Sequence, residues 1–231
     1  MPTRPARSER GMSLLAVMAV MTLFAIGLLA VAPSVQQEIQ REKEVEAVRR
    51  GEEVAEAIRQ YVNYYRGTRL PNSIDDLLDG LPQGTTKRQI LRASAAIDPL
   101  SADGKWRLIK PDPKDLGPFA KRVMEYNGGT LPSNPGPVFD RYSVIVMTAV
   151  FDPNAEPIAD DDDFEVVTDN TPFIGVASQS RADSVIAYYG IENEAKWIFT
   201  PLWRGGGRQN SPQVQTPQSR PATPSDKIII Q

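Results

Sequence analysis

The residues with the most evident capacity for chemistry are four consecutive carboxylates, Asp160 to Asp163. Oxygen-rich loops of this kind are what a calcium ion requires. The run has no glycine where an EF-hand loop would turn, and a block of like charge is ordinarily a solvated surface, so no metal site is assigned to it. Carboxylates also work in pairs in glycoside hydrolysis, but among 29 Asp and Glu residues no spacing singles out a pair. Gly205-Gly206-Gly207 lacks the Lys-Ser/Thr and the strand-to-helix setting of a phosphate loop. Trp106, Trp197 and Trp203 read as core or sheet-edge aromatics rather than a carbohydrate platform. The chain has no Cys and no His, which removes thiol nucleophiles, zinc thiolate sites, imidazole bases and Ser-His-Asp triads. The sequence therefore assigns no catalytic residue, no cofactor and no metal ligand, and predicts a protein that is not an enzyme.

With chemistry so restricted, the elements themselves carry the reading. A chain of 231 residues with an apolar N-terminal run and a polar tail has room for one modest globular domain. Net charge is −3. Arg4, Arg7 and Arg10 outnumber Glu9 in the first eleven residues, which leaves about −5 for the remainder. A mildly acidic chain without a basic stripe argues against nucleic acid as a partner, because neutralising phosphates takes clustered Lys and Arg.

From Met12 to Ala32 there is no charge. At about 1.5 Å per residue such a run is long enough to cross a hydrocarbon core of about 30 Å. Three arginines precede it and Gln36, Gln37 and Glu38 follow, so the positive-inside bias puts the N-terminus in the cytoplasm and the domain in the periplasm or an equivalent space. A secretory signal peptide would have a shorter apolar stretch and a small-x-small cleavage site. Here residues from Gln36 to Tyr65 stay helix-compatible, interrupted only by Gly51. Val35, Ile39, Val48, Ala55, Ile58, Val62 and Tyr65 recur mainly at spacings of three, four or seven, an apolar stripe that needs cover.

The junction Arg10-Gly11-Met12-Ser13-Leu14-Leu15, a short basic leader ending in Gly before an apolar run, resembles that of the type IV pilin-like proteins, which include the pseudopilins of type II secretion systems. The resemblance implies cleavage after Gly11 by a prepilin peptidase and N-methylation of Met12. It implies a pilin-like α+β fold, in which a long N-terminal helix, its first half transmembrane, packs on a small antiparallel sheet. Pro33 lies at a depth where many pilins carry a proline, which would kink or loosen the helix. Partners implied are other pseudopilins or pilins, the peptidase, an inner-membrane assembly platform and membrane lipid. The family usually carries Glu at the fifth mature residue, where this chain has Ala16; some minor, tip-located pseudopilins also lack it. The expected function is a structural, minor subunit of a secretion or pilus assembly, single-pass in the inner membrane. The alternative, which Ala16 favours, is a membrane-tethered periplasmic binding module or envelope enzyme outside any filament.

The expected organisation is a leader at 1–11, a span at 12–32, a domain at 33–203 and a disordered tail at 204–231. Gly67 should end the long helix, and Ser73 should cap a short helix through Leu78. Asp98-Pro99-Leu100 followed by Gly104-Lys105-Trp106 is similar to a turn that opens the sheet in those proteins. Strands are predicted at Trp106–Lys110, Tyr142–Phe151, Phe173–Ser178, Ser184–Tyr189 and Ala195–Thr200, and an irregular loop between Leu116 and Asp140. The tail is Gly, Gln, Pro, Ser and Thr with few large apolar residues, and its Ile228-Ile229-Ile230 reads as a frayed terminus before a docking segment.

Overall fold

The computed structural model describes residues 10–151 and 164–204, with side chains described at 14–26, 36–148, 150–151 and 164–204. Asp160 to Asp163, Gly205 to Gly207 and Ile228 to Ile230 fall outside these ranges, as do the side chains of Gly11, Met12, Pro33 and Val35. The chain divides into two compact units, Met1–Gln40 and Arg41–Gln231.

The first helix, α1, spans Arg10–Tyr64. It is rich in Ala, Leu, Met, Glu and Arg, the residues that lose least on becoming helical. On its polar side Glu46 pairs with Arg49 and Arg50, and Glu56 with Arg59, at spacings of three and four. The helix closes where the Gly67 amide reaches back to the Val62 carbonyl (2.9 Å) and the Arg66 amide to Asn63 (3.1 Å). Arg66 is left-handed (φ 52°), as is Gly67 (φ 75°). This pair of bonds is how a helix stops through a left-handed residue, and Gly67 supplies the backbone freedom expected of it one position later than the turn itself.

In the second unit, α1 buries Glu44, Ala47, Val48, Val54, Ala55, Ile58, Tyr61 and Val62, a face repeating every three or four residues. The expected stripe is present at Val48, Ala55, Ile58 and Val62. Ile39 instead is half exposed and Tyr65 only partly buried. Gly51 belongs to the buried face and does not interrupt it: a Cβ there would overlap the Phe199 ring.

What covers the stripe is a mixture of short helices and three small antiparallel sheets, rather than the single sheet expected. Helix α2 is Ile74–Leu78, capped by Ser73 with Asp76 returning the bond, as the sequence predicts. Strands β1 (Leu81–Gln83) and β2 (Thr86–Arg88) form one hairpin. Strand β3 (Arg107–Ile109) follows the Asp98 turn, where the Asp98 amide donates to the Gly104 carbonyl at 2.9 Å and the carboxylate accepts from Leu100 N–H and the Ser178 hydroxyl. Helix α3 covers Pro113–Tyr126 and helix α4 Asp140–Phe151, and the two pack on each other. Strands β4 (Gly175–Ala177) and β7 (Ile198–Phe199) complete the three-stranded sheet in the order β3-β4-β7. Strands β5 (Asp183–Tyr188) and β6 (Ile191–Asn193) form a separate hairpin. Its two-residue turn, Tyr189-Gly190, has positive φ at both positions, matching the right-handed twist of the flanking strands.

Three expectations are corrected. Tyr142–Phe151 is helix α4, not a strand: Phe139, Tyr142 and Val146 are buried at helical spacing while Val144 and Ile145 are exposed, so the β-branched composition yields to where the core lies. The stretch read as a loop from Leu116 contains α3, capped by Asp112 with Pro113 at its first turn, and buries Leu116, Phe119, Ala120 and Val123. The predicted strand at Ala195–Thr200 is reduced to β7, after a 3-10 turn at Glu194–Lys196.

Candidate functional site

Each residue from Leu14 to Ile26 is uncharged and exposed, Ala16 among them. Nine large apolar side chains, including Leu15, Met18, Leu23 and Phe24, lie more than half in the open. At 100° per residue they surround the helix rather than forming a stripe, a pattern suited to lipid or to neighbouring helices. Thr22 turns its hydroxyl back to the Met18 carbonyl at 2.7 Å, so its one polar group is satisfied within the helix. No helix among the described residues is long and apolar enough to cross a membrane. The described apolar positions rise about 20 Å, short of a core of about 30 Å. The expected span continues through 27–32, whose side chains lie outside the described residues. Gly11 and Met12 fall within α1.

The second unit holds α1 through buried and partly buried polar contacts that the sequence did not single out. The Glu44 carboxylate is fully buried and accepts the amides of Val185 and Ile186, each at 2.9 Å. Two turns on, Glu52 accepts the Tyr188 hydroxyl at 2.6 Å and pairs with Arg204. Arg204, which the sequence put at the head of the tail, also donates to the Thr200 carbonyl. Ordered packing therefore runs through that residue. Burial, reinforced by the Glu52 charge, pushes the Tyr188 phenol well above its ordinary range. At the other end of this helix, the Tyr142 hydroxyl and Arg141 both donate to the Gly67 carbonyl, at 2.8 and 3.0 Å.

A cavity of about 550 Å³ opens between β3, the first turns of α3, and β6. Leu108, Phe119, Ile191 and Ile198 supply apolar wall, and Arg107 lies inside, nearly buried. Its Nη2 donates to the Ala195 carbonyl at 2.7 Å, and the Phe164 ring covers its guanidinium with 3.9 Å to the centroid. Among the described residues no group of three or more acidic side chains could hold a metal ion.

No family model, curated protein or solved structure matches the chain.

The three residues singled out from the sequence, Gly11, Met12 and Ala16, thus lie in the first unit. The buried Glu44 and Arg107 and the partly buried Glu52 and Arg204 lie in the second. For Glu44 a signal existed: a carboxylate one turn before Val48 sits on the apolar stripe, where a solvated residue does not belong.

The raised Tyr188 phenol gives a directional pH effect. An acid whose folded pKa exceeds its unfolded value keeps its full contribution below about 10 and loses it as pH rises further. The stability advantage of the parent over Tyr188→Phe is expected to be flat near neutrality and to shrink by up to about 1.4 kcal/mol per pH unit above about 10. Denaturant melts of both proteins across that range measure it; parallel curves would exclude Tyr188 as the group responsible.

Proposed function

We propose that this chain is a pseudopilin-like structural subunit, a minor one, of a type II secretion or type IV pilus assembly, anchored through its N-terminal helix in the inner membrane. The observation that carries the reading is α1: exposed and apolar on all sides from Leu14 to Ile26, and a wall of the α+β domain from Glu44 to Val62. A helix serving both purposes within one element is what an extractable filament subunit needs, since lateral packing of apolar helices replaces lipid without unfolding the domain. The leader sequence up to Gly11 agrees with processing there, leaving Met12 as the first residue.

Ala16 supports the minor role. Apolar helix surfaces are poorly selective about register, and a polar pair in low dielectric fixes it. This chain lacks the side chain for its half of that pair, while the amine of a processed Met12 remains available to a partner's carboxylate. The same residue favours the second reading, a tethered module that never joins a filament.

The test has two arms, both by co-expression with a prepilin peptidase. The mass of the N-terminal peptide is expected to begin at a methylated Met12; intact Arg10-Gly11-Met12 peptides in membrane extracts would sink the pilin-like reading. Electron microscopy is expected to show no filaments from the parent alone, and filaments from Ala16→Glu. Abundant filaments from the parent would overturn the minor role.

A further inference from the structure

We propose that the cavity between β3, α3 and β6 binds a carboxylate carried on an apolar body, with Arg107 as the group that takes the charge. Arg107 is 6% exposed, and its Nε has no hydrogen-bond partner among the described residues. Native proteins rarely leave a buried donor unmatched, least of all a charged one. The Ala195 carbonyl accounts for one N–H of its Nη2 and the Phe164 ring for one face. Neither carries the negative charge that a buried guanidinium calls for. Burial holds Arg107 down to about 10, opposed by the neighbouring Asp115 charge.

Five acids line the cavity, Asp112, Asp115, Glu165, Asp183 and Glu192, and none forms a salt bridge with Arg107 among the described residues. Asp115 accepts the Lys110 amide at 3.3 Å, Asp112 caps α3 by accepting the Asp115 amide at 2.9 Å, and Glu165 pairs with Lys110 at 3.6 Å. Lys110, Lys114, Arg122 and Lys196 also line the cavity, so acids and bases balance there and the lining offers no excess of positive charge for a doubly charged phosphate. A single carboxylate on an apolar body fits both the lone buried cation and the walls of Leu108, Phe119 and Ile191. The volume is within the range of about 300–1,000 Å³ usual for small-ligand sites.

Such a carboxylate can arrive as a free organic acid or as an acidic side chain of an extended peptide, and the experiment separates them. The full chain in a nonionic detergent is titrated with 3-phenylpropanoate and its amide, and with acetyl-Ala-Glu-Phe-amide and its Gln counterpart, by calorimetry and saturation-transfer NMR. At least one acid is expected to bind about tenfold or more tighter than its neutral counterpart. Arg107→Met is expected to erase that preference, and Ile191→Trp, which fills the cavity, to remove binding of both. Binding of the small acid alone assigns the site to free carboxylic acids, and binding of the peptide alone to an acidic partner segment. Equal binding of acid and neutral counterpart, or no binding of any probe up to about 10 mM, a free energy of under about 3 kcal/mol, overturns the proposal. The acid-against-amide comparison on the parent stands even if Arg107→Met fails to fold.

Discussion

Replacing Ile58 with Asp is expected to cost several kcal/mol and, in a domain of ordinary stability, to leave much of the protein unfolded at 37 °C. Ile58 is fully buried in the face of α1 that the sheets and short helices cover. The variant loses the transfer free energy of a large aliphatic side chain, about 2 kcal/mol, and also places a carboxylate inside the hydrophobic cluster. That second cost is the larger, because burying an unpaired charge is met only by protonation or by local opening. Ile58→Leu, which keeps the volume, is expected to cost less than about 1.5 kcal/mol. Thermal melts of the three proteins decide the matter: an Asp variant melting within a degree or two of the parent would mean that α1 is not packed by this face.

Gly51→Val is the second large effect, and its sign is set by a contest. Glycine in a helix interior is worth about 1 kcal/mol less than alanine, so a side chain at this site should by propensity stabilise α1. Against this, any Cβ at position 51 overlaps the Phe199 ring. That ring cannot swing away freely, since Tyr188 and Trp106 sit against it at centroid distances of 5.1 and 5.8 Å. Overpacking a core of this kind costs about 1–3 kcal/mol or more, which outweighs the gain. Gly51→Ala is expected to be destabilising by a smaller amount than Gly51→Val. Phe199→Leu in the Gly51→Ala background should recover part of the loss, the signature of a direct clash. If Gly51→Ala raises the denaturation midpoint instead, the close approach of α1 to β7 is excluded.

The fold was legible where one local rule acted alone. The Ser73 cap, the stop at Gly67, the Asp98 turn and strands β3, β4 and β5 were read from turn chemistry and period, and the burial of Val48, Ala55, Ile58 and Val62 from spacing. It was misread where composition and context disagreed. Tyr142 to Phe151 is full of Val, Ile, Tyr and Phe, so it resembled a strand, yet Tyr142, Val146 and Val150 lie four apart on one side of a helix that packs on α3. Helix α3 was hidden by Gly117-Pro118 in its interior. Its Asp112-Pro113 start and the spacing of Leu116, Phe119, Ala120 and Val123 were equally present in the sequence. Of the candidate sites, the proposed leader junction at Gly11 and Met12 is a contiguous motif, which is the kind a sequence can offer by itself. The cavity is not of that kind, because Arg107, Phe119 and Ile191 come from three distant stretches and meet only through the fold.

The contact between Glu44 and the β5 hairpin bears on how the protein avoids its own kind. Between its paired ends, Asp183 with Asn193 and Tyr188 with Ile191, β5 is irregular in register. Successive amides of a regular strand point to opposite edges, and a bulge-like irregularity lets Val185 and Ile186 converge on one carboxylate. A two-stranded ribbon would otherwise offer those amides to any exposed strand of another molecule, the first step of edge-to-edge aggregation. Glu44 already occupies them, and it lies on the helix that must reach a crowded membrane surface under the reading advanced above. The carboxylate works as a gatekeeper, capping the sheet edge from within the same chain.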